Sequence, residues 1–570
     1  MNSPTEMKKM TFNSLPLSTL TSALLLAMYG GAWAQTPPVP DAGQVLRDLR
    51  QASPMPQPQA APLQRIEESP DLSQKGEARV LVKSVTITGN QEIPGSELQP
   101  LVAGLVGAEQ SLSQLNAAAR RITAYYRRQG FAVARAYLPA QDITDGVVTI
   151  SVIEGRISSH RISNNSLLSD EAASAYVGQV RDGDVIRSDQ IDRGLLLLQD
   201  TPGVSSSRAT LQPGASVGTS ELLIEVNPAA PYSGNVVLDN YGSRYTGEYR
   251  LAGSFNLASP LKIGDQLTFN ALTSGPSLSF GRIAYQLPVG SDGLRLGVAY
   301  FDTHYRLGRE FEALQANGTA SSTSVFAAYP FIRSQMKNLS GTIVLEDKKL
   351  NDRVDSTATQ TGKKLQVTSL GLAGSLQDAL WGGGINSLDL SLVLGNLNIQ
   401  SPTALAIDAA SAQTNGSYSR VAYTLGRLQR ISNETFLSVS LSGQQAGKNL
   451  DSSEKFVLGG LNGVRAYPQG EASGDEGYKG TVELRQALMP NLQGTLFYDF
   501  GSIKINKNPF GAPASNSRNL SGVGLGLNAS LDKVQLRAAV AWRTHGGVPT
   551  SLPASAVKTP TLLLQAILAF

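Results

Sequence analysis

The sequence predicts a mainly β protein in which two small α+β domains precede an antiparallel β-barrel that crosses a membrane. Thr561–Phe570 places apolar side chains at alternate positions and ends on an aromatic residue, which is typical of outer-membrane barrels. Residues 231–570 repeat this apolar and polar alternation many times. Beyond the N-terminal segment no apolar run reaches the roughly 18 residues of a spanning helix, so strands must make any membrane crossing.

The composition fits many short strands joined by turns. Hydrophobic residues account for 41% of the 570 residues and charged residues for 16%, and glycine occurs 56 times. The absence of cysteine excludes disulfides and thiolate chemistry. Lys and Arg total 48 against 45 Asp and Glu, so no strong positive field would attract nucleic acid, and we expect no nucleic-acid partner.

Catalytic motifs are missing from the sequence. His160, His304 and His545 are too scattered to suggest a metal site, and neither a G-x-S-x-G elbow nor a G-x-x-x-x-G-K-[ST] loop occurs. Gly522–Gly526 imitates part of a dinucleotide-binding fingerprint, but alternate glycines in a barrel strand explain it better because no β-α-β context surrounds it. We therefore expect no enzyme activity, no cofactor, no metal and no catalytic residue.

The N-terminal region divides into three segments. Lys8 and Lys9, an apolar stretch and then Ala32-Trp33-Ala34 predict a secretory signal peptide over residues 1–34. Residues 35–51 include a short helix, Asp41–Gln51, with Asp41 as its N-cap. The stretch 52–78 is rich in proline and predicts an extended periplasmic linker that tethers the helix.

Two consecutive segments, 79–155 and 156–228, share the predicted element order β-α-α-β-β and so form an internal repeat. The first has its elements at Val80–Ile87, Gly95–Leu105, Leu112–Arg128, Phe131–Leu138 and Val147–Ile153, with Asp145-Gly146 as a hairpin turn. The second has them at Arg156–Ile162, Ser169–Gly178, Ser188–Gln199, Val204–Leu211 and Glu221–Val226. Strand edges beside Val80–Ile87 or Glu221–Val226 could either capture a strand from an unfolded client or be blunted as in ordinary sheets.

The barrel is predicted over residues 229–570. In Ser387–Leu394 and Phe436–Ser442, leucine and valine alternate with serine and aspartate, which suits a lipid-facing exterior and a wet interior better than a packed sandwich. With about 10 residues per crossing and a similar number per connection, this length accommodates about 16 strands. An even number of strands puts both ends of the barrel on the periplasmic side, next to the α+β domains.

Several motifs resemble those of one family. They are Leu198–Gly203 (LQDTPG), Leu211–Gly214 (LQPG), Leu238–Gly242 (LDNYG), Leu458–Gly460 (LGG), Val464–Tyr467 (VRAY), Phe497–Gly501 (FYDFG) and the terminal Phe570. Over essentially the whole mature chain the sequence is similar to the two-partner secretion transporters, the TpsB proteins of the ShlB/FhaC/HecB haemolysin secretion/activation family. The larger superfamily usually has glycine where this chain has Ala466, so we expect no glycine-only backbone angle there.

The resemblance implies a 16-stranded barrel, two periplasmic POTRA domains over residues 79–155 and 156–228, and residues 35–51 as a helix that plugs the lumen. It implies an outer-membrane translocation channel that exports one large β-helical exoprotein, of the adhesin, haemolysin or contact-dependent toxin type, by two-partner (type Vb) secretion without ATP. The exoprotein is expected to bind the POTRA domains. The barrel is expected to contact outer-membrane lipid of a Gram-negative bacterium, and the C-terminal strand to contact the barrel-assembly machinery.

Two other functions remain open at this point. One is a barrel-assembly factor that inserts other membrane proteins, although such relatives usually carry more POTRA domains and no plug helix. The other is a passive porin, which the long periplasmic α+β region disfavours.

The resemblance also assigns a site in the lumen. In Thr495–Ile503 the alternation turns Phe497 and Asp499 inward. An inward aspartate is usually just solvated, but in the family the arginine of the loop motif folds into the barrel and meets the acidic group of this strand. We therefore expect Arg465 to pair with Asp499. The expected site comprises the loop motif Val464, Arg465, Ala466 and Tyr467, the wall residues Phe497, Asp499 and Gly501, and Phe570 as the C-terminal assembly signal.

Overall fold

A computed structural model of the chain describes residues 39–49, 79–178, 180–511 and 515–570. The predicted signal peptide, 1–34, and the predicted linker, 52–78, lie outside the described residues. Among the described residues, no helix combines the length and the apolar character that crossing a bilayer requires. Along the chain, a short helix α1, Ala42–Leu49, is followed by two α+β domains and a closed barrel.

The first α+β domain departs from the predicted elements in three places. Its elements are β1, Arg79–Leu81; β2, Ser84–Thr88; α2, Gly95–Leu98; β3, Glu109–Ser111; α3, Leu112–Arg128; β4, Arg135–Tyr137; and β5, Val147–Ile153. The strand predicted over Val80–Ile87 is divided because β1 pairs with β3 while β2 pairs in parallel with β5. The helix predicted to Leu105 continues after α2 only as 3₁₀ turns, because Pro100 cannot donate an α-helical hydrogen bond. Residues 138–146 separate β4 from β5, so Asp145-Gly146 ends a longer connection and is not a two-residue hairpin.

The second α+β domain corrects the expectation about sheet edges. Its elements are β6, Arg156–Asn164; α4, Asp170–Ala175; α5, Ser188–Gln199; β7, Val204–Pro213; and β8, Thr219–Pro228. The sheet order is β6-β8-β7, so the Glu221–Val226 stretch lies in the central strand and is hydrogen-bonded on both sides. That stretch therefore offers no free edge. In the first domain the order is β2-β5-β4, which leaves β2 at the edge of its sheet.

Within the described residues, sixteen antiparallel strands close into a barrel, as predicted. They are β9, Tyr232–Asp239; β10, Arg250–Ala258; β11, Gln266–Thr273; β12, Leu278–Val289; β13, Leu294–Arg306; β14, Ala316–Arg333; β15, Lys337–Val354; β16, Thr359–Asp378; β17, Gly384–Ile399; β18, Gly416–Arg430; β19, Thr435–Ala446; β22, Glu476–Met489; β23, Leu492–Lys504; β24, Ser517–Leu531; β25, Val534–His545; and β26, Thr561–Ala569. A short hairpin, β20 (Phe456–Val457) with β21 (Ser473–Gly474), lies between β19 and β22, and a helix, α6 (Pro402–Ala409), between β17 and β18. The barrel closes where β26 pairs with β9, from Gln565↔Asp239 to Ala569↔Asn235.

Side chains of the strands alternate between an apolar outside and a lumen, as the sequence pattern predicts. Leu562, Leu564, Leu568 and Phe570 are 51%, 45%, 46% and 50% exposed, whereas the intervening Leu563 is 8% exposed.

The strands differ greatly in length: β14, β15 and β16 have 18, 18 and 20 residues, but β9 and β26 have 8 and 9. The exposed apolar side chains of β14 lie at Val325 and beyond, so its first half, residues 316–324, extends past the apolar band.

The second α+β domain is docked on the turns at one end of the barrel. Asp200, at the end of α5, accepts hydrogen bonds from Arg333 Nε at 2.6 Å and Nη2 at 2.7 Å. Arg193 donates to the Pro330 carbonyl at 3.1 Å, and the Ser169 amide donates to the Lys262 carbonyl at 2.8 Å. These contacts identify the barrel end that carries the α+β domains.

Helix α1 lies inside the barrel. Asp41 Oδ1 accepts a hydrogen bond from the Gln44 amide at 2.9 Å, so Asp41 caps the helix as predicted. Ala42, Val45 and Leu46 are buried in a cluster with inward-facing side chains of the wall, which include Tyr305, Leu350, Leu365 and Val393. The helix therefore occupies the lumen, as the resemblance implied.

Candidate functional site

The connection between β19 and β22, residues 447–475, folds back into the barrel, and we call it the lumen loop. Leu458, Val464, Ala466 and Tyr467 of this loop are at most 1% exposed. They pack on a set of wall residues: Phe497, Ile503, Leu520 and Ala541. These four side chains of the lumen loop are therefore part of the barrel core.

Arg465 makes charged contacts between the lumen loop and two carboxylates of the wall. Its Nε lies 2.9 Å from Asp499 Oδ2 and its Nη2 lies 2.9 Å from Asp499 Oδ1. The Arg465 backbone amide also donates to Asp499 Oδ2, at 3.1 Å. The guanidinium carbon sits 3.4 Å from the centre of the Phe497 ring. The structure thus brings together the expected pair in a bidentate geometry, stacked on the expected wall residue.

A second carboxylate, Glu483 on β22, completes the cluster. Arg465 Nη1 donates to Glu483 Oε2 at 2.9 Å, and Arg485 Nε donates to Glu483 Oε1 at 2.8 Å. Asp499 is 0% exposed and accepts a further hydrogen bond from Thr481 Oγ1 at 2.9 Å. Removing one member of such a buried pair leaves an uncompensated charge, at a cost of roughly 3–5 kcal/mol. The cluster therefore strongly favours a single position of the lumen loop.

Two glycines on β24 make room for this packing. A Cβ added to Gly522 would lie 2.6 Å from the Ala466 Cβ, and one added to Gly524 would lie 2.2 Å from the Phe497 ring. The glycine alternation in β24 thus serves close approach of the lumen loop and of Phe497. Ala466 does not have a positive φ, so alanine fits at this position without backbone strain.

The lumen loop also contacts the connection between β25 and β26, residues 546–560, which we call the final loop. The Tyr467 hydroxyl lies 2.8 Å from the His545 carbonyl oxygen and 2.9 Å from that of Gly547. Glu471 is 0% exposed and accepts hydrogen bonds from the Thr550 and Ser551 amides at 2.9 and 2.8 Å. Arg518 Nη2 of β24 lies 2.7 Å from Glu471 Oε1. Glu471 therefore joins the lumen loop, the wall and the final loop.

The remaining expected residues lie close to this site or at the closure of the barrel. Gly501 faces Leu458 of the lumen loop, where an added Cβ would lie 2.7 Å from Leu458 Cδ2. Phe570 exchanges backbone hydrogen bonds with Gly234 of β9, at 3.0 and 2.9 Å. Asn240 extends this closure, because its side chain donates to the Leu562 carbonyl at 2.9 Å and accepts from the Leu564 amide at 2.8 Å. The LDNYG motif therefore contributes to sealing the barrel.

Polar contacts hold the first turn of α1 against the wall. The Ala42 amide donates to Asp352 Oδ1 at 2.7 Å. Lys363 Nζ lies 2.7 Å from Asp451 Oδ2 of the lumen loop and 3.5 Å from Asp41 Oδ2. Lys363 thus connects the wall with both α1 and the lumen loop.

Sequence reasoning missed Glu471 and Glu483. Glu483 faces inward two strand positions from Thr481, so strand alternation could have placed it beside the inward Asp499 of the neighbouring β23. Glu471 lies in a loop, where no periodicity reports on burial. Its partners, Thr550 and Arg518, are far away along the chain, so the sequence carried no indication of the contact.

Comparisons with known proteins agree with this geometry. The family described as haemolysin secretion/activation protein ShlB/FhaC/HecB matches residues 218–529, and the POTRA domain, ShlB-type, matches residues 80–155. The heme/hemopexin transporter protein HuxB of Haemophilus influenzae (strain 86-028NP) is 32% identical over 504 residues, which cover 86% of this chain and 89% of HuxB. The outer membrane transporter CdiB of Dickeya dadantii (strain 3937) is 26% identical over 391 residues, covering 66% of this chain and 67% of CdiB.

A solved structure shares the fold. CdiB from Escherichia coli superposes with a TM-score of 0.71 at 20% identity, covering 88% of this chain and 93% of that chain. Because the match to the family spans more than half of the chain, the chain belongs to the ShlB/FhaC/HecB haemolysin secretion/activation family, the TpsB transporters of two-partner secretion.

Proposed function

We propose that this protein is a gated outer-membrane channel that recognises one large β-helical exoprotein and exports it by two-partner secretion without ATP. The observation that carries the proposal is the double occupancy of the lumen by α1 and the lumen loop, each held by ion pairs to the wall. A passive pore has no need of two such obstructions, whereas a channel that must stay shut until its client arrives does.

Opening requires α1 to shift. An α-helix with its side chains is about 10–12 Å across, so α1 takes up much of the space that an extended polypeptide needs. Its attachment combines a few polar contacts, such as the Lys363 to Asp41 pair, with a small apolar face. Eight helical residues held in this way can be released at moderate cost.

Client recognition is assigned to the two POTRA domains, over residues 79–155 and 156–228, with the barrel over 229–570. The edge position of β2 supports strand addition, because β2 pairs with another strand of its sheet on one side only, where it contacts β5. The domains would lie in the periplasm of a Gram-negative bacterium, with the exposed apolar band of the barrel in outer-membrane lipid and the C-terminal strand, ending at Phe570, offered to the barrel-assembly machinery.

Folding of the exoprotein outside the cell supplies the driving force in this proposal, because each repeat of a β-helix that stacks on the previous one buries surface and opposes backward movement. The chain itself acts as a transporter and not as an enzyme. The sequence has no phosphate-binding loop of the G-x-x-x-x-G-K-[ST] type with which to hydrolyse a nucleotide.

The experiment is deletion of this protein followed by inspection of the culture medium. We expect one large polypeptide to disappear from the medium and to return when the intact chain is restored. The levels of other outer-membrane proteins should stay the same. A general fall in those levels, with no specific loss from the medium, would instead identify a barrel-assembly factor.

The lumen site is tested in the same strain with Arg465→Ala. We expect the barrel to insert normally but export to be abolished or strongly reduced. Arg537→Ala is the matched control, because Arg537 is an exposed arginine on the neighbouring part of the wall. Equal export by the two variants would refute the role of Arg465.

A further inference from the structure

A small cavity inside the barrel is lined mostly by positively charged side chains among its charged residues. It has a volume of about 190 Å³ and lies between α1, the lumen loop and the wall. Its charged lining residues are Arg47, Asp48, Arg250, Lys455 and Lys479. Four of these five side chains are cations, and they are separate from the cluster around Arg465.

Two of the cations are balanced by carboxylates. Arg250 donates from Nε to Asp239 Oδ1 at 2.9 Å and from Nη2 to Asp239 Oδ2 at 3.2 Å. Lys455 Nζ lies 2.8 Å from Asp475 Oδ1. These two pairs add no net charge to the cavity.

Arg47, on α1, has a donor without an acceptor. Its Nη1 donates to the Ser452 carbonyl at 3.0 Å and to Ser473 Oγ at 2.8 Å. Its Nε is buried, lies 3.5 Å from Asp48 Oδ1, and donates no hydrogen bond to any described residue. The Arg47 side chain is 9% exposed. Asp48 thus balances the charge of Arg47 but leaves this nitrogen unsatisfied.

Lys479, on β22, has no carboxylate partner within 4.0 Å among the described residues. Its ammonium donates to the Val457 carbonyl at 3.3 Å and lies 5.2 Å from the centre of the Phe456 ring. An ammonium has three donors, so two of them lack an acceptor among the residues that the structure describes. Lys479 is only partly exposed and has no adjacent counter-charge, and the cavity therefore favours an anion.

We propose that this cavity binds an inorganic oxyanion of the phosphate type, which bridges Arg47 on α1 to Lys479 on the wall. The volume of about 190 Å³ is several times the roughly 30 Å³ that one water molecule occupies, so a tetrahedral oxyanion fits with space for water. Its oxygen atoms point in several directions, which suits both the guanidinium edge of Arg47 and the free donors of Lys479.

The last turn of α1 already contacts the lumen loop through Arg47, and the bridging anion would attach this turn to the barrel wall as well. The first turn of the helix is held at Asp41 and Ala42 by Lys363 and Asp352, whereas Arg47 lies in its last turn. An anion shared by Arg47 and Lys479 would hold this other end. Phosphate should then slow the departure of α1 from the lumen.

The test is isothermal titration of the purified full-length protein in detergent with sodium phosphate, with sodium sulfate as a second probe and sodium chloride at equal ionic strength as the blank. We expect saturable phosphate binding that Lys479→Gln weakens at least about ten-fold, because the charge-assisted contact is lost. Lys479→Arg should retain binding. Lys504→Gln, which removes an exposed lysine of β23, is the matched control and should bind as the intact chain does.

Planar-bilayer recordings supply the second measurement. Phosphate should lower the frequency of channel opening for the intact chain and leave it unchanged for Lys479→Gln. Arg47→Gln alters only α1 and not the barrel wall, so it tests the same bridge if Lys479→Gln fails to fold. Phosphate that gives no more heat than chloride, or binds the Gln variants as tightly as the intact chain, overturns the proposal. Binding that leaves the opening frequency unchanged overturns the bridging role.

Discussion

Replacing Arg465 by alanine should release the lumen loop from the wall. The change removes both contacts to Asp499 and the contact to Glu483, and it leaves two carboxylates close together in the interior. Breaking a buried pair from one side costs roughly 3–5 kcal/mol, and each 1.4 kcal/mol changes an equilibrium about ten-fold. The ratio of docked to undocked loop should therefore fall by roughly two to three and a half orders of magnitude.

The assay uses the absence of cysteine from the sequence. Val464→Cys introduces a single thiol of similar size at a position that is 0% exposed while the loop is docked. A maleimide can reach this thiol only when the loop undocks, so its labelling rate reports the undocked population. We expect Arg465→Ala to raise that rate at least about 100-fold, which is the lower end of the range above.

Asp499→Asn separates charge from shape in the same assay. The amide keeps an acceptor for Arg465, and Glu483 remains as a second partner, so the increase in labelling should be smaller than for Arg465→Ala. The double variant should show a cost well below the sum of the two single costs, because the residues form one unit. Labelling rates within two-fold of each other for Arg465→Ala, Arg537→Ala and the intact chain, as a rough threshold, would refute the reasoning.

Three further changes have predictable results. Glu471→Ala should make the final loop, 546–560, more sensitive to protease, because its backbone amides lose their buried acceptor at roughly 1–3 kcal/mol. Gly524→Ala should destabilise the barrel by roughly 1–3 kcal/mol through overpacking, seen as a lower unfolding temperature on gels, whereas Gly281→Ala should have little effect because nothing lies within 4 Å of the added methyl. Lys363→Met should raise the open time of the channel in planar bilayers, because it removes an ion-pair partner of both α1 and the lumen loop.

Each of these three predictions can be contradicted by a specific result. An unchanged protease pattern in the Glu471 variant would mean that the other contacts of the final loop, including those of Tyr467 and Tyr245, are sufficient to hold it. Equal unfolding temperatures for the two glycine variants would mean that Phe497 can move aside at no cost. A Lys363→Met channel as closed as the intact one would show that the apolar face of α1 and its remaining polar contacts, those of Ala42 and Arg47, are sufficient to keep it in place.

The barrel was predictable because strand alternation reports directly on which side chains meet lipid. The pairing of Arg465 with Asp499 was expected only through family resemblance, since a lone inward aspartate is compatible with simple solvation. The order of strands inside the small domains could not be predicted from the pattern. The sequence of Glu221–Val226 is that of an ordinary amphipathic strand, and its central position between β6 and β7 depends on the path of the chain. The burial of Glu471 could not be predicted for a similar reason, because it results from the final loop folding over this residue.

The unequal strand lengths make the rim of the barrel lopsided. At roughly 3.4 Å per residue, the 20 residues of β16 measure about 68 Å, and even at a tilt of about 45° they rise nearly twice as high as an apolar band of about 25 Å. On the opposite side, β9 and β26, with 8 and 9 residues, rise only about 19 and 22 Å at the same tilt, slightly less than the height of that band. A polypeptide leaving the pore therefore meets a high wall at β16 and a low rim at β9 and β26. This asymmetry favours exit over the low side of the barrel.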